Sequence, residues 1–495
     1  MSVIQITGLT FSYDGSADVI FDHVNLRMDT DWRLGLTGRN GRGKTTLLRL
    51  LCGDLEYEGT ISKNVRFAYF PYAVKDSNLT AIDAIRQAAP DAEEWEIQRE
   101  LSLLEVDESV WSRPLATLSG GEQTKTLLAA LFLRKACFPL IDEPTNHLDL
   151  EGRRVLSRYL KNKTGYIVVS HDRAFLDGCV DHILSINRGD IEVQNGNFSS
   201  WWENRQRQDR FELEQNAKLK KEIRRLTETA REKAEWSDTA ERRKTGIDRN
   251  QVDNVKGWRP LQGAKSKKQM SRAKAIEKRT ESAIEEKSAL LKNIELQGDL
   301  KLSPLVHHAD PLLWLEGLTA GYGEKAVCKD ISFTVKQGER VALQGRNGCG
   351  KTTLLKLILG EPIDYSGTIY RASGLNLSYV SQSTADLHGS LAEYADAWDV
   401  DRSRFQTVLR KLGFSREQFK NPMERFSEGQ KKKAVLARSL CQQAHLYIWD
   451  EPLNYIDVLS RMQIEELIVQ YRPTLLFVEH DAVFCDKIAT KIIKL

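Results

Sequence analysis

The sequence predicts an α/β protein made of two P-loop domains, copies of one another, joined by a long antiparallel α-helical linker of coiled-coil type. Three observations predict it. A repeat runs through the chain: GRNGRGKTT from Gly38 recurs as GRNGCGKTT from Gly345, and IDEPTNHLD from Ile141 is echoed by WDEPLNYID from Trp449. In each copy a β-rich segment, Arg33 to Leu36 or Arg340 to Leu343, runs into a glycine-rich turn and then a helical TTLLRLL or TTLLKLI. That is the strand, loop, helix order of a nucleotide-binding unit. Between the copies, strand formers thin out and Glu, Lys, Arg, Gln and Ala dominate.

At 495 residues the chain exceeds the roughly 250 to 300 at which one hydrophobic core stops growing, so at least two domains are expected. The boundaries read as residues 1–200 for the first copy, 201–303 for the linker and 304–495 for the second copy. The offset between copies drifts only from 307 at the P-loops to 309 at His171 and His480, so neither copy carries a large insertion that the other lacks. Hydrophobic residues at 41% and charged residues at 28% exclude a wholly disordered or collagen-like chain. No stretch approaches 18 consecutive apolar residues, and MSVIQITGLTFSY has no charged segment leading into an apolar one. A cytoplasmic protein without a membrane domain is the expectation. Seven cysteines, an odd number with no C-x-x-C pair, read as reduced thiols rather than a disulfide framework or a zinc site.

Along each copy, the apolar runs Tyr166 to Val169 and Thr474 to Val478 fit buried parallel strands. Pro139, inside the run Phe138 to Ile141, is awkward for a central strand. In the linker, Leu219, Ile223, Leu226 and Ala230 recur at helical spacing, and Ile276, Ala283, Leu290 and Ile294 do so again. Gly246, Gly257, Pro260 and Gly263 interrupt the pattern, which places the turn of a helical hairpin between about residues 246 and 268. An arm of about 40 residues would be roughly 60 Å long. From Arg242 to Arg279 there are thirteen Lys or Arg against three acids, a local net of +10 in a chain whose total is +3. A basic tip on an otherwise acidic molecule points to a polyanion. Trp258 beside Arg259 offers a stacking and cationic partner for bases, and the segment has no broad apolar face for lipid, so the expected contacts of Lys256, Trp258, Arg259, Lys265, Lys267 and Lys268 are with RNA.

The residues that carry chemistry lie in the two copies. Gly38 to Thr45 and Gly345 to Thr352 both satisfy G-x-x-x-x-G-K-[ST], in which backbone N–H groups wrap phosphates. Gly38, Asn40, Gly41, Gly43, Lys44, Thr45 and Thr46 form the first candidate ATP cradle; Gly345, Asn347, Gly348, Gly350, Lys351, Thr352 and Thr353 form the second. Lys44 and Lys351 would meet the β- and γ-phosphates, and Thr45 and Thr352 would ligate Mg²⁺. Downstream, Asp142-Glu143 and Asp450-Glu451 read as strand ends carrying two carboxylates. The Asp of each pair can hold Mg²⁺, and the Glu can polarise the attacking water. His171 and His480, at matched offsets behind the two P-loops, could bond the γ-phosphate. His147 has no histidine counterpart, since Tyr455 takes its place, and reads as a loop residue.

LSGGEQ from Leu118 to Gln123 lies between the first P-loop and its carboxylates, with FSEGQ from Phe426 to Gln430 opposite. On these motifs the chain resembles ATP-binding cassette proteins. In that family the signature of one cassette covers the nucleotide held by the other, which implies an intramolecular cassette sandwich in a monomer. Ser427, Gly429 and Gln430 would then complete the site built on Lys44, and Ser119, Gly120, Gly121 and Gln123 the site built on Lys351. By the same resemblance, Tyr13 and Tyr322 match the aromatic that stacks on adenine, and Gln382 the glutamine near Mg²⁺. Two fused cassettes around a charged helical linker resemble the ABC-F family of ribosome-binding ATPases, and EPLNYID from Glu451 is similar to its Lsa-type antibiotic-resistance branch. This implies two ATP sites with Mg²⁺, a cytoplasmic ribosome-associated protein, and a linker tip near the peptidyl-transferase centre. Protection against lincosamide, pleuromutilin and streptogramin A antibiotics is the implied outcome. A translation factor without a resistance role, the ATPase subunit of a multi-chain membrane transporter, and a DNA-repair ATPase are the competing readings.

Two departures predict unequal sites. Where the second copy has Gln382, the first has Tyr72 after Phe70-Pro71, and a tyrosine cannot act as an amide carbonyl ligand. The second signature has Glu428 where the first has Gly120, and a carboxylate facing phosphate repels it unless it points away.

Overall fold

Strands buried on both faces read as continuous apolar runs, and such runs form the middle of each copy's main sheet. The computed structural model describes residues 2–13, 19–74, 76–187, 191–245, 300–323 and 325–495. Among these, the first copy contains β1 (Val3–Ser12), β2 (Val19–Asp29), β3 (Arg33–Gly38), β4 (Glu58–Ser62), β5 (Arg66–Phe70), β6 (Cys137–Asp142), β7 (Tyr166–Val169), β8 (His182–Ile186) and β9 (Ile191–Asn195). The second contains β10 (Leu313–Tyr322), β11 (Lys325–Val335), β12 (Arg340–Gln344), β13 (Asp364–Arg371), β14 (Leu377–Val380), β15 (Leu446–Asp450), β16 (Leu475–Val478) and β17 (Lys491–Lys494). The main sheets run β5-β6-β7-β3-β8-β9 and β14-β15-β16-β12-β17, parallel except for β9. A smaller antiparallel sheet accompanies each, in order β2-β1-β4 and β11-β10-β13.

This order brings the carboxyl ends of the P-loop strand, the carboxylate strand and the histidine strand side by side, the usual place for a ligand in an open α/β sheet. The core follows strand periodicity. In the second copy Val341, Leu343, Ile448, Leu476 and Val478 pack on one face with Leu354, Leu355 and Leu315. Their neighbours Ala342, Tyr447, Trp449, Leu475 and Phe477 pack on the other with Leu436, Ile464 and Phe484. Pro139 is accommodated by register: it pairs with Ala68 of β5, while the ladder to β7 begins only at Leu140. Its missing N–H therefore falls before the second ladder starts.

The chain divides into one unit formed by Met1–Trp201 with Gln297–Leu495 and another formed by Trp202–Leu296, of which the structure describes Trp202–Thr245. A single helix spans Phe198–Thr245, 48 residues and so about 72 Å at 1.5 Å per residue. Phe198 and Trp201 are buried at its start, and Leu219 and Ile223 are half-buried further along. The expected turn at 246–268, the second linker arm and the tip residues Lys256, Trp258, Arg259, Lys265, Lys267 and Lys268 lie outside the described residues. No described helix is long and apolar enough to cross a membrane.

Candidate active sites at the strand ends

Each P-loop turns into its helix through a glycine that no other residue could replace. Gly43 has φ 87°, and a Cβ there would lie 2.9 Å from the Phe21 ring; Gly350 has φ 96°, with Val327 at 3.0 Å. The left-handed turn and the close approach both require the missing side chain. The helices Lys44–Cys52 and Lys351–Leu359 follow, with their N-termini at the strand ends, where an anion is favoured. Lys44 Nζ donates to the carbonyls of Gly38 (2.8 Å) and Arg39 (3.3 Å), and Lys351 Nζ to those of Gly345 (2.8 Å) and Arg346 (3.0 Å). Both lysines are folded back over their own loops.

The two copies, within one compact unit, meet across these loops. Asn40 Nδ2 donates to the carbonyl of Tyr455 at 2.6 Å, and Asn347 Nδ2 to the carbonyl of His147 at 3.2 Å. A Cβ on Gly429 would lie 2.5 Å from both Asn40 Nδ2 and the Tyr455 carbonyl. The second signature thus faces the first P-loop at contact distance. On the other side a cleft of about 420 Å³ gathers Ser119, Gly120 and Gly121 with Tyr322, Asn347, Gly348, Gly350, Lys351, Thr352, Thr353, Gln382, Glu451 and His480. Tyr13 and Tyr322 are exposed, and Tyr13 Oη lies 3.0 Å from Thr46 Oγ1.

Glu143 and Glu451 end their strands with φ of 50° and 47°, left-handed values uncommon for a carboxylate residue. Their N–H groups close onto the carbonyls of Val169 (2.9 Å) and Val478 (3.0 Å). The twist presents each carboxylate to its histidine: Glu143 Oε1 is 3.1 Å from His171 Nε2, and Glu451 Oε1 is 3.5 Å from His480 Nε2. Burial, with Asp142 adding to it, pushes the Glu143 carboxyl up to about 8. Burial also holds His171 well below its usual value, reinforced by Lys44 and Arg461, so its imidazole is neutral. Glu451 differs: burial alone would raise it, but the neighbouring His480 and Gln382 hold it below the usual carboxylate value.

The Asp residues diverge as well. Asp142 Oδ2 accepts from Thr45 Oγ1 (2.7 Å) and Tyr69 Oη (3.0 Å). Both oxygens of Asp450 are buried without a well-formed hydrogen bond, and burial pushes this carboxyl up to about 6. An unsatisfied buried carboxylate beside Thr352 and Gln382 is an all-oxygen set that fits Mg²⁺, which binds proteins through one or two carboxylates plus substrate phosphates. Among the described residues no group of three or more His, Cys, Asp or Glu could hold a metal by itself.

Several residues sit differently from expectation. Gln123 lies outside the cleft: its amide donates to the carbonyls of Leu115 (2.9 Å) and Leu118 (3.1 Å). The position equivalent to Gln430 is Glu122, because Ser119–Glu122 and Ser427–Gln430 both form capping boxes at the third residue of their helices. Tyr72 turns away: Tyr72 Oη donates to the Leu127 carbonyl at 3.3 Å, and Arg134 covers its ring. Glu428 also points away from the first P-loop, accepting from Thr384 Oγ1 at 2.6 Å and pairing with Lys431 at 3.0 Å. His147 and Tyr455, matched in the fold, contribute main-chain carbonyls to the opposing P-loops. Tyr69 was invisible as a site residue because an aromatic in a strand reads as core.

Two P-loop cassettes in contact through their P-loops, each with its own carboxylate and histidine strands, define a duplicated ATP-binding cassette ATPase. The pattern of the ABC transporter family matches residues 21–146 and 328–454, and the chain belongs to that family. Its relatives are ABC-F proteins. The ribosome protection protein VmlR of Bacillus subtilis (strain 168) is 30% identical over 97% of this chain and 85% of its own length. The energy-dependent translational throttle protein EttA of Haemophilus influenzae is 28% identical over 96% of this chain and 88% of its own. The archaeal ribosome recycling factor aABCE1, solved with the ribosomal stalk protein aP1, superposes with a TM-score of 0.63 at 20% identity over 98% of this chain and 87% of that one. That likeness shows the fold alone.

Proposed function

We propose that this protein is an ABC-F ATPase of the ribosome, of the Lsa-type resistance branch. In this reading it binds the ribosome with ATP in both clefts, places its linker tip near the peptidyl-transferase centre, and leaves after hydrolysis. The observation that carries it is the cross-cassette contact of Gly429 and the Tyr455 carbonyl with Asn40, which makes nucleotide the natural filler between the cassettes. The likeness to VmlR over nearly the whole chain supports the ribosome as target.

At each site the P-loop amides and the lysine hold the phosphates, and the opposing signature closes over them. Mg²⁺, held by Thr45 and Asp142 or by Thr352, Asp450 and Gln382, would neutralise charge on the phosphate oxygens. Glu143 and Glu451 orient and deprotonate water, and His171 and His480 fix the carboxylates. Two intact cassettes with this asymmetry make hydrolysis a timer for release. Binding through a Lys- and Arg-rich tip depends mainly on phosphates and weakens steeply as salt rises. Deleting residues 254–264 is expected to leave basal ATPase largely intact and to abolish protection of cells from lincosamides and pleuromutilins. Protection equal to the intact chain's would show the tip to be dispensable and overturn the mechanism.

A further inference from the structure

The second signature helix, Glu428–Cys441, touches two sites at once. Its first turn carries Gly429, against the Asn40 loop of the first cassette. From the same turn Glu428 Oε2 accepts a 2.6 Å bond from Thr384 Oγ1, two residues beyond Gln382. One turn further on, Lys432, 1% exposed, donates from Nζ to the carbonyls of Ser381 (2.8 Å), Gln382 (3.2 Å) and Asp450 (3.3 Å). A buried ammonium sharing its protons among three carbonyls is a rigid tie. Two side chains of one helix therefore fasten the Ser381–Thr384 loop and the end of β15 to the surface that closes the other cassette's site.

The first cassette fastens the matching loop differently: among the described residues no side chain from the start of its signature helix, Gly120–Leu133, bonds to that loop. Gly120 and Thr124 stand where Glu428 and Lys432 stand, and Thr124 Oγ1 bonds within its own helix, to the Gly120 carbonyl at 2.8 Å. Tyr72, in place of Gln382, is tied instead to Leu127 and Arg134. The carboxylate in the second signature thus has a structural use, bonded to Thr384 and paired with Lys431.

We infer that Glu428 and Lys432 are positioning residues that couple the two ATP sites through the second cassette: ordering of the Gln382 loop by nucleotide at Lys351 sets the second signature for nucleotide at Lys44. In the first cassette the tie from Tyr72 meets the signature helix at Leu127, away from its nucleotide-facing first turn, and couples the same sites less strongly. Because binding free energies are linked, nucleotide at Lys44 favours nucleotide at Lys351 by the same factor. This inference rests on the reading that both clefts bind ATP.

The test is binding of radiolabelled ATP with Mg²⁺ to the full chain carrying Glu143→Gln and Glu451→Gln to stop turnover. Lys351→Ala should lower the stoichiometry from two to one and weaken ATP at the remaining site by about 5-fold or more, the ordinary range of coupling between sites. In a Glu428→Gly/Lys432→Thr background the same change should weaken it by less than about 3-fold. An equal weakening in both backgrounds overturns the coupling. A stoichiometry that Lys351→Ala does not change overturns instead the reading of the clefts. Should the double variant fail to fold, the near-isosteric Thr384→Val removes one tie alone and should reduce the coupling, while Lys432→Arg, which keeps the buried cation, should preserve it. Full coupling in Thr384→Val together with its loss in Lys432→Arg would count against the assignment.

Discussion

Gly429 and Gly121 occupy matched positions yet differ in how closely neighbouring atoms approach them. A Cβ on Gly429 would meet Asn40 Nδ2 and the Tyr455 carbonyl at 2.5 Å, whereas one on Gly121 would meet the His147 carbonyl at 3.2 Å. Gly429→Ala must displace the Asn40 amide across the interface and the Tyr455 carbonyl beside it, and overpacking of this kind costs about 1–3 kcal/mol. Its ATPase rate is expected to fall about 10-fold or more, with a smaller loss in Gly121→Ala; the reverse ranking in steady-state assays would contradict the assigned contacts. The carboxylates supply a second comparison. Glu451 is held ionised beside Gln382 and an unsatisfied Asp450, while Glu143 is pushed towards protonation and Asp142 is already satisfied by Thr45 and Tyr69. Glu451→Gln should therefore remove the larger share of turnover, and equal losses in Glu451→Gln and Glu143→Gln would end the case for unequal sites. Freeing Asp142 of one hydroxyl, Tyr69→Phe should lower the Mg²⁺ concentration needed for half-maximal ATPase in a chain carrying Glu451→Gln; an unchanged requirement would show that Tyr69 does not compete for that carboxylate.

The main-sheet strands and P-loop helices were legible in the sequence because each is fixed by local chemistry: apolar runs and glycine-rich turns. What escaped is what depends on how elements meet. The positive φ of Glu143 and Glu451 leaves no mark in composition, and main-chain carbonyls such as those of His147 and Tyr455 have no side-chain signature. Gln123 shares its letter with Gln430 but not its place, since Glu122 holds the third helical position. Pro139 looked incompatible with a central strand because the start of the β7 ladder cannot be read from one strand. Helix-to-helix ties are equally silent: Lys433 Nζ, on Glu428–Cys441, pairs with Asp457 Oδ2 at 2.5 Å, and Asp457 caps Val458–Tyr471 through the Ser460 N–H. Burial alone would raise this carboxyl, but Lys433 and the Ser460 bond hold it far below the usual aspartate value. Its folded value is depressed, so its contribution to stability is full above the unfolded value of about 3.9 and is lost as pH falls below it. Asp457→Ala, which leaves the Lys433 cation buried, is expected to cost about 3–5 kcal/mol at neutral pH. Urea unfolding at pH 7 and at pH 3 checks this: the difference from the native chain should shrink at the lower pH, and a constant difference would contradict the pairing.

Across the cassettes, Arg173 of the first forms a buried ion pair with Glu465 of the second, which also accepts from Lys487 Nζ at 3.0 Å. Ser157 and Ala482 stand at the matched positions on the other side, so the two cassettes are held unequally. Lys487 is 43% exposed and can be replaced by water, whereas Arg173 is buried. Arg173→Ala should therefore lower the urea midpoint well beyond Lys487→Ala, and equal shifts would remove the pair from the account. In the proposed function, nucleotide fills this interface and ATP occupancy is the condition for engaging the ribosome. Co-sedimentation of the Glu143→Gln/Glu451→Gln chain with purified bacterial ribosomes, with and without ATP, puts that to the test. The account predicts pelleting with ribosomes only when ATP is present; failure to pellet while both clefts still bind ATP would contradict it.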